Sequence, residues 1–219
     1  MAEKKKVEQK AVARKAVDSS AEQKADALER WLSALIPDSF SDWGRLPDIG
    51  LYMDQVLTMM DRQMGFYKRA DEDRSLTQSM INNYTKDGIL PRATDKKYNQ
   101  SHLALLSILC SLKPILSISD MKSLFSVLCE EEGEREAYDF FLAAQMEALG
   151  DVKKQTLDDL AAARSASVSG ETAGDEAGSG DGPVAERALA SLALRLCVDA
   201  RVRLLVTQGI LDLFCEKED

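Results

Sequence analysis

The sequence predicts an all-α, mainly helical protein with one small β-hairpin. The chain has 219 residues, and 45% of them are apolar, which is enough for a buried core. Aromatic residues are few, and the glycines and prolines are confined to a handful of places, as expected of a helical chain. In most segments, apolar residues recur every three or four positions, which is the spacing of one face of an α-helix.

The N-terminal part of the chain combines a solvated tail with one short helix. Residues 1–24 mix charges with little to bury, so we predict a flexible tail. A short helix is expected over residues 28–36, and Pro37 ends it. Turn-forming residues then fill the chain up to Gly50, before the next helical pattern begins.

Two helices are predicted between residues 53 and 86. The first has apolar side chains at helical spacing: Met53, Val56, Leu57, Met60, Met64 and Tyr67. The second is expected to begin with Thr77 as its cap and to end at Gly88, because glycine readily takes the left-handed conformation. Its inward face is Met80, Ile81 and Tyr84, and its outward face is polar and mostly uncharged: Gln78, Ser79, Asn82, Asn83 and Lys86.

A small hairpin and two further helices are expected next. Residues 89–90 are predicted to pair with residues 97–98 across the segment PRATDK. A buried apolar helix then runs from its cap, Asn99, and ends before Pro114, because proline disfavours helix at the residue that precedes it. Ser117 is expected to cap the following helix.

The second half of the chain is expected to contain two long helices joined by a linker. A domain of residues 25–130 is followed by a predicted long helix over residues 131–164. Residues 165–183 have almost no large apolar side chains, so we predict a disordered linker. The last segment, residues 184–219, is rich in Leu, Val and Ala and is predicted to pack on the long helix or on a second subunit.

Net charge limits how this protein can meet nucleic acid. The formal charge is -9 at pH 7 and the pI is about 4.8, so the surface as a whole repels phosphates. Any contact with DNA must therefore be local. Residues 74–100 carry five cations against two acids, a local excess of three: Arg74, Lys86, Arg92, Lys96 and Lys97 against Asp87 and Asp95.

The sequence carries no recognisable enzymatic machinery, and we expect neither an enzyme nor a cofactor. The four cysteines never form a CxxC pair, so we expect buried helix residues in a reducing compartment and no metal site: Cys110, Cys129, Cys197 and Cys215. His102, the single histidine, falls at the third position of its helix, where a capping role outweighs catalysis. The chain has no apolar signal segment, so we expect a cytoplasmic protein.

Several short motifs follow one another in residues 46–125: LPDIGLYMDQV, MINNYTKDGILP, KKY and SISDMKSLF. Their kind and order resemble the DNA-binding head of MerR-type regulators, and more closely an uncharacterised bacterial family of MerR-like proteins. This resemblance implies a winged helix-turn-helix. The helix over residues 77–86 would then enter the major groove, and residues 92–98 would form a basic wing.

The outward face of this helix offers groups that read base edges. Asn and Gln can pair with adenine, and Gln78, Asn82 and Lys86 share one helix face at a spacing of four residues. The wing cations Arg92, Lys96 and Lys97 would lie near phosphates. Tyr84 and Tyr98 either direct their hydroxyls to phosphate or are buried wedges that join the wing to the helix. The candidate DNA-binding residues are Gln78, Ser79, Asn82, Asn83, Tyr84, Lys86, Arg92, Lys96, Lys97 and Tyr98.

Two functions stay open at this point. The first is a transcription regulator that binds double-stranded DNA as a homodimer formed through the helices after Gly133. Two-fold pairing would imply a palindromic operator. The second is a helical adaptor that binds protein partners and whose acidic surface repels nucleic acid.

Overall fold

The computed structural model describes residues 21–35, 40–67, 76–131, 133–169 and 182–214. Within these residues the chain is mostly helical and has no β-sheet, which confirms the predicted helical class. The α-helices described are α1 (Ala21–Ala34), α2 (Met53–Gln63), α3 (Gln78–Lys86), α4 (Gln100–Leu112), α5 (Ile118–Glu131), α6 (Gly133–Ser169) and α7 (Gly182–Phe214). Two short 3₁₀ helices cover Trp43–Arg45 and Met64–Phe66.

The chain divides into two compact units. Among the described residues, the first unit comprises residues 21–35, 147–169 and 182–203, and the second comprises residues 40–67, 76–131, 133–146 and 204–214. The second unit contains every candidate DNA-binding residue. The domain predicted from the sequence, residues 25–130, also included residues 25–35, but these residues fall in the first unit.

The core of the second unit is built around α4. Every residue from 102 to 110 of this helix is buried, because apolar side chains cover most of its circumference. The fully buried side chains around it come from α2, α3, α5 and α6 and include Val56, Met60, Ile81, Tyr84, Met121 and Tyr138. The predicted burial of this apolar helix is confirmed.

Three helix starts in this unit use side-chain caps at the positions that the sequence predicts. Thr77 Oγ accepts the backbone N–H three residues further on, at 3.3 Å. Asn99 Oδ1 accepts the N–H of His102 at 3.2 Å. Ser117 Oγ accepts the N–H of Asp120 at 3.1 Å, and the Asp120 carboxylate accepts the Ser117 N–H in return at 3.2 Å. These caps satisfy N–H groups that have no partner inside a helix.

The predicted pairing of residues 89–90 with residues 97–98 is wrong. The N–H groups of Ile89 and Leu90 instead donate to the carbonyl oxygen of Tyr84, at 2.9 and 3.1 Å. Tyr98 pairs with Leu51, with N–H to carbonyl distances of 2.9 Å in both directions. The chain turns back against α3 after Gly88, because the last carbonyls of a helix need donors from the segment that follows.

The first unit is formed by α1 and by parts of α6 and α7. Its buried side chains include Ala25, Ala27, Leu32, Thr156, Leu160 and Leu192. An ion pair joins Arg195 of α7 to Asp159 of α6 at 2.8 Å, and Arg164 of α6 contacts Glu29 of α1 at 3.2 Å. Within this unit, α7 therefore contacts α6, the first of the two partners expected for the last helix.

The two long helices extend into the predicted linker. The helix α6 continues to Ser169 and α7 begins at Gly182, so both ends of residues 165–183 are helical. Residues 170–181 lie outside the described residues, as do residues 1–20 of the predicted tail, whereas residues 21–24 of that tail belong to α1.

Candidate functional site

The helix α3 lies on the surface of the second unit with its polar side outward. Its outward side chains are all exposed: Gln78, Ser79, Asn82, Asn83 and Lys86. Its inward side chains, Ile81 and Tyr84, are 0% and 1% exposed. The helix ends where Gly88 takes a φ of 75°, a conformation that glycine adopts without steric cost. The arrangement presents three amides, a hydroxyl and an ammonium group to solvent.

Residues 92–98, called here the basic turn, form a tight reversal of the chain. Thr94 and Lys97 exchange backbone hydrogen bonds at 3.1 and 2.9 Å. Asp95 and Lys96 between them have φ values of 51° and 63°, which are left-handed and match a two-residue type I′ turn. Arg92 is exposed, as are Lys96 and Lys97, so the described surface of the basic turn carries three cations.

The basic turn is attached to the segment that precedes α2. The reciprocal bonds between Leu51 and Tyr98 hold its end. Lys97 Nζ lies 5.5 Å from the centre of the Tyr52 ring, a cation–π distance. The Lys97 side chain passes so close to Gly50 that an added Cβ there would lie 2.9 Å from Lys97 Cβ. Only glycine leaves room for this path.

The two candidate tyrosines are buried, which favours the wedge alternative over phosphate contact. Tyr84 is 1% exposed and Tyr98 is 7% exposed. Burial raises the pKa of Tyr84 to about 12, and the nearby Cys110 thiol adds to this effect. Burial also raises the pKa of Tyr98. Because the Tyr84 hydroxyl is enclosed, it does not belong to the surface that a DNA backbone could touch.

We expect the Tyr84→Phe variant to be more stable than the wild type by about 1 kcal/mol. The buried Tyr84 hydroxyl has no hydrogen-bond partner among the described residues, so removing it removes a desolvation cost. The measurement is the free energy of unfolding in urea. Tyr67→Phe is the control and should lower the free energy of unfolding, because the Tyr67 hydroxyl accepts a hydrogen bond from Gln145 at 2.7 Å. A less stable Tyr84→Phe protein would show that this hydroxyl has a partner.

His102 has the capping role that its position predicts. Its Nδ1 accepts the N–H of Asn99 at 3.2 Å, which completes a reciprocal capping box. The ring lies edge-on to Tyr98, with 5.3 Å between the centroids. Burial lowers the pKa of His102, and the backbone of Arg92 and of Pro91 opposes that shift. The imidazole therefore joins the start of α4 to the basic turn.

The described cations around α3 and the basic turn exceed the acids by two. This surface has two acids, Asp87 and Asp95, and four cations: Lys86, Arg92, Lys96 and Lys97. All six side chains are exposed. Arg74, which raises the predicted excess to three, lies outside the described residues. None of these four cations forms an ion pair with another described residue. Their charge is therefore available to a ligand.

Sequence reasoning missed two residues next to this surface. Lys113, at the end of α4, places its Nζ 3.4 Å from Met80 Sδ and so brings a further cation beside α3. Tyr52 is 51% exposed and lies under Lys97. Lys113 is 33 residues from its contact and Tyr52 is 45 residues from Lys97, so no local pattern could have paired them.

The described cysteines and acidic residues give no sign of a metal centre. Among the described residues, no group of three His, Cys, Asp or Glu side chains is placed to hold a metal ion. Cys110 is buried, and burial raises its pKa to about 12. Cys129 is half-buried and Cys197 is exposed, contrary to the expectation that the cysteines are buried, and Cys215 lies outside the described residues. None of the described helices is both long and apolar enough to cross a membrane.

One family model matches the segment of the chain that carries this surface. Residues 41–141 match the family model described as a domain of unknown function (DUF1836), which confirms the expected resemblance to an uncharacterised family for this segment. The matched residues contain α3, the basic turn and Lys113. No curated protein and no solved structure matches the chain.

Proposed function

We propose that this protein is a DNA-binding transcription regulator of the cytoplasm whose second unit acts as a MerR-like winged helix-turn-helix. In this proposal α3 enters the major groove and the basic turn, acting as the wing, holds backbone phosphates. The observation that carries it is α3 itself, a capped helix with five exposed polar side chains opposite the buried Ile81 and Tyr84. Groove-reading helices have this combination of a fixed inner face and a free polar outer face.

The basic turn supports the proposal by its charge and its rigidity. Lys96 and Lys97 lie on a reversal that is held by its own hydrogen bonds and by the pairing of Tyr98 with Leu51. Cations held on a rigid support lose little entropy when they meet phosphates, and each neutralised phosphate releases counterions. This local positive charge acts at short range within a chain whose net charge is -9.

A homodimer through the C-terminal helices belongs to the same proposal. In the first unit, α7 exposes large apolar side chains four residues apart: Leu194 at 66%, Val198 at 55% and Val202 at 52%. Such a row on one helix face is the kind of surface that a second helix covers. Two copies would place two α3 helices on a palindromic site.

The lysines of the basic turn provide the test. We expect the K96E/K97E variant to bind random-sequence duplex DNA more weakly than the wild type, and the slope of log affinity against log salt to fall by about 2, since two phosphate contacts are lost. Fluorescence anisotropy of a labelled duplex across a salt series measures both quantities.

A matched control makes the same charge change elsewhere on the chain. Lys122 and Lys154 are exposed and lie outside α3 and the basic turn, so K122E/K154E should keep the wild-type slope. Equal affinity and equal slope in all three proteins would contradict the proposal. Thermal unfolding of each variant checks that the fold is retained.

A second candidate function is a helical adaptor that binds protein partners and no DNA. The specific observation in its favour is two exposed apolar side chains in the segment that precedes α2, Ile49 at 68% and Tyr52 at 51% exposure. Exposed apolar side chains mark protein contacts when they belong to a contiguous patch. Retention on random duplex DNA at low salt separates the two functions, because an adaptor of net charge -9 would flow through.

A further inference from the structure

The exposed chemistry of α3 favours one class of base pair. Its outward face carries three amides, Gln78, Asn82 and Asn83, and its one cation, Lys86, stands in the last turn. In the major groove, Asn and Gln pair with the N6 and N7 groups of adenine, whereas Arg and Lys pair with guanine. The helix has no arginine. Its middle is therefore suited to adenine.

The spacing of these amides limits how far apart their base contacts can lie on a duplex. Gln78 and Asn82 are four residues apart and so lie one above the other, about 6 Å apart along the helix axis. Base pairs repeat every 3.4 Å or so along DNA, so this separation corresponds to at most about two base pairs, whatever the angle between the helix and the duplex. A helix of nine residues is about 13 Å long, which limits its direct contacts to a few base pairs.

The amides of α3 are not explained by the stability of the fold. Asparagine is a poor helix former, and Asn82 and Asn83 occupy consecutive positions in the middle of a short helix. Their side chains make no hydrogen bond with another described residue. By contrast, the Thr77 hydroxyl accepts the N–H of Met80 at 3.3 Å, and the Thr85 hydroxyl donates to the carbonyl oxygen of Ile81 at 3.0 Å. The amides, like Ser79 and Lys86 on the same exposed face, therefore have no partner among the described residues.

Ammonium groups lie on both sides of this amide surface. Lys113 Nζ is 3.4 Å from Met80 Sδ, beside the first turn of α3, and Lys86 belongs to its last turn. Cations at the two ends of a groove-reading helix can meet the phosphates of the two strands that border the groove. Phosphate contacts fix the register of the helix and carry no sequence information.

We infer that α3 selects adenine·thymine base pairs through Gln78 and Asn82, while Lys113 and Lys86 hold the phosphates at its two ends. This inference rests on the proposed function and adds the base class and a phosphate-binding residue, Lys113. It predicts two separable kinds of variant. Changes at Asn82 alter which duplex is preferred, and changes at Lys113 weaken all duplexes alike.

The test begins with selection of bound sequences from a random duplex pool by the full chain. Adenine·thymine pairs are expected at the strongest positions of the recovered site. A duplex in which those pairs are replaced by guanine·cytosine should bind the wild type about tenfold more weakly or worse, as expected for the loss of a paired amide contact. Asn82→Ala should reduce this ratio, and K113E should weaken both duplexes while leaving the ratio unchanged.

The outcomes separate this inference from the function on which it rests. Duplex binding with equal affinity for the two sequences would overturn the adenine preference and leave the proposed function standing. Binding to no duplex at any salt would overturn the proposed function and the inference with it. An unchanged affinity of K113E for both duplexes would remove Lys113 from the phosphate contacts. Asn82 and Lys113 are exposed, so these variants keep the fold that the comparison needs.

Discussion

Replacing Tyr138 by alanine is expected to lower the free energy of unfolding of the second unit by about 3–5 kcal/mol. Tyr138 is 0% exposed and comes from α6 into the core around α4. Its ring packs edge-on against Trp43 at 6.3 Å and is stacked on Phe141 at 6.2 Å. Losing the ring leaves a large cavity that the neighbouring side chains fill only in part.

The Tyr138 hydroxyl adds a polar contact to this packing. It donates to the carbonyl oxygen of Ser41 at 2.8 Å, which ties α6 to the segment before α2. Burial raises the pKa of Tyr138 to about 12, and the side chains of Ser107 and Gln63 oppose that shift. Tyr138→Phe should therefore cost about 1 kcal/mol, because it keeps the ring and leaves the Ser41 carbonyl without its donor.

Urea unfolding followed by circular dichroism measures the Tyr138 series. The matched control is Phe140→Ala, two positions along the same helix, where the aromatic ring is 66% exposed. This control should change stability by less than about 1 kcal/mol. A similar loss in the Tyr138→Ala and Phe140→Ala proteins would contradict the assignment of Tyr138 to the core.

Replacing Leu211 by aspartate is expected to be at least as damaging to the second unit. Leu211 is 4% exposed and belongs to the same buried cluster as the side chains of α4, with Leu204 packed against that cluster. Truncating a buried leucine costs about 2–5 kcal/mol, and a buried carboxylate without a partner adds a desolvation penalty of several kcal/mol. We therefore expect the cooperative unfolding transition to be lost or shifted to much lower temperature.

The matched control for Leu211 lies two residues further along α7. Leu213 is 83% exposed, so Leu213→Asp should change stability by no more than about 0.5 kcal/mol. Thermal unfolding distinguishes the two variants. Equal behaviour of the two would show that α7 does not contribute to this core. Leu204 and Leu211 both lie beyond the matched residues 41–141, so a fragment with those ends would expose part of its core.

The helices were largely predictable because their signals are local. The cap Thr77 and the terminating Gly88 set the bounds of α3, and the apolar run after Asn99 identifies a buried helix. The polar face of α3 followed from the same pattern, since residues four apart share one side of a helix. Local chemistry thus predicted the inner and the outer face of the candidate reading helix.

The contacts between distant segments were not predictable. Tyr98 pairs with Leu51, which is 47 residues away, and no feature of either segment selects that partner over residues 89–90. Lys113 contacts Met80, which is 33 residues away in the sequence. Such contacts depend on how helices pack, and a single sequence records that packing only as a general apolar pattern.

The tip of the basic turn places two requirements on one residue. Lys96 has a φ of 63°, a conformation that costs a non-glycine residue about 1 kcal/mol. Glycine at this position would remove the cost of the left-handed conformation and would also remove the ammonium group. A library screened only for heat resistance should therefore enrich glycine at position 96, whereas one screened for ligand retention should keep lysine. Comparing the two populations would show whether position 96 is constrained by stability or by ligand binding.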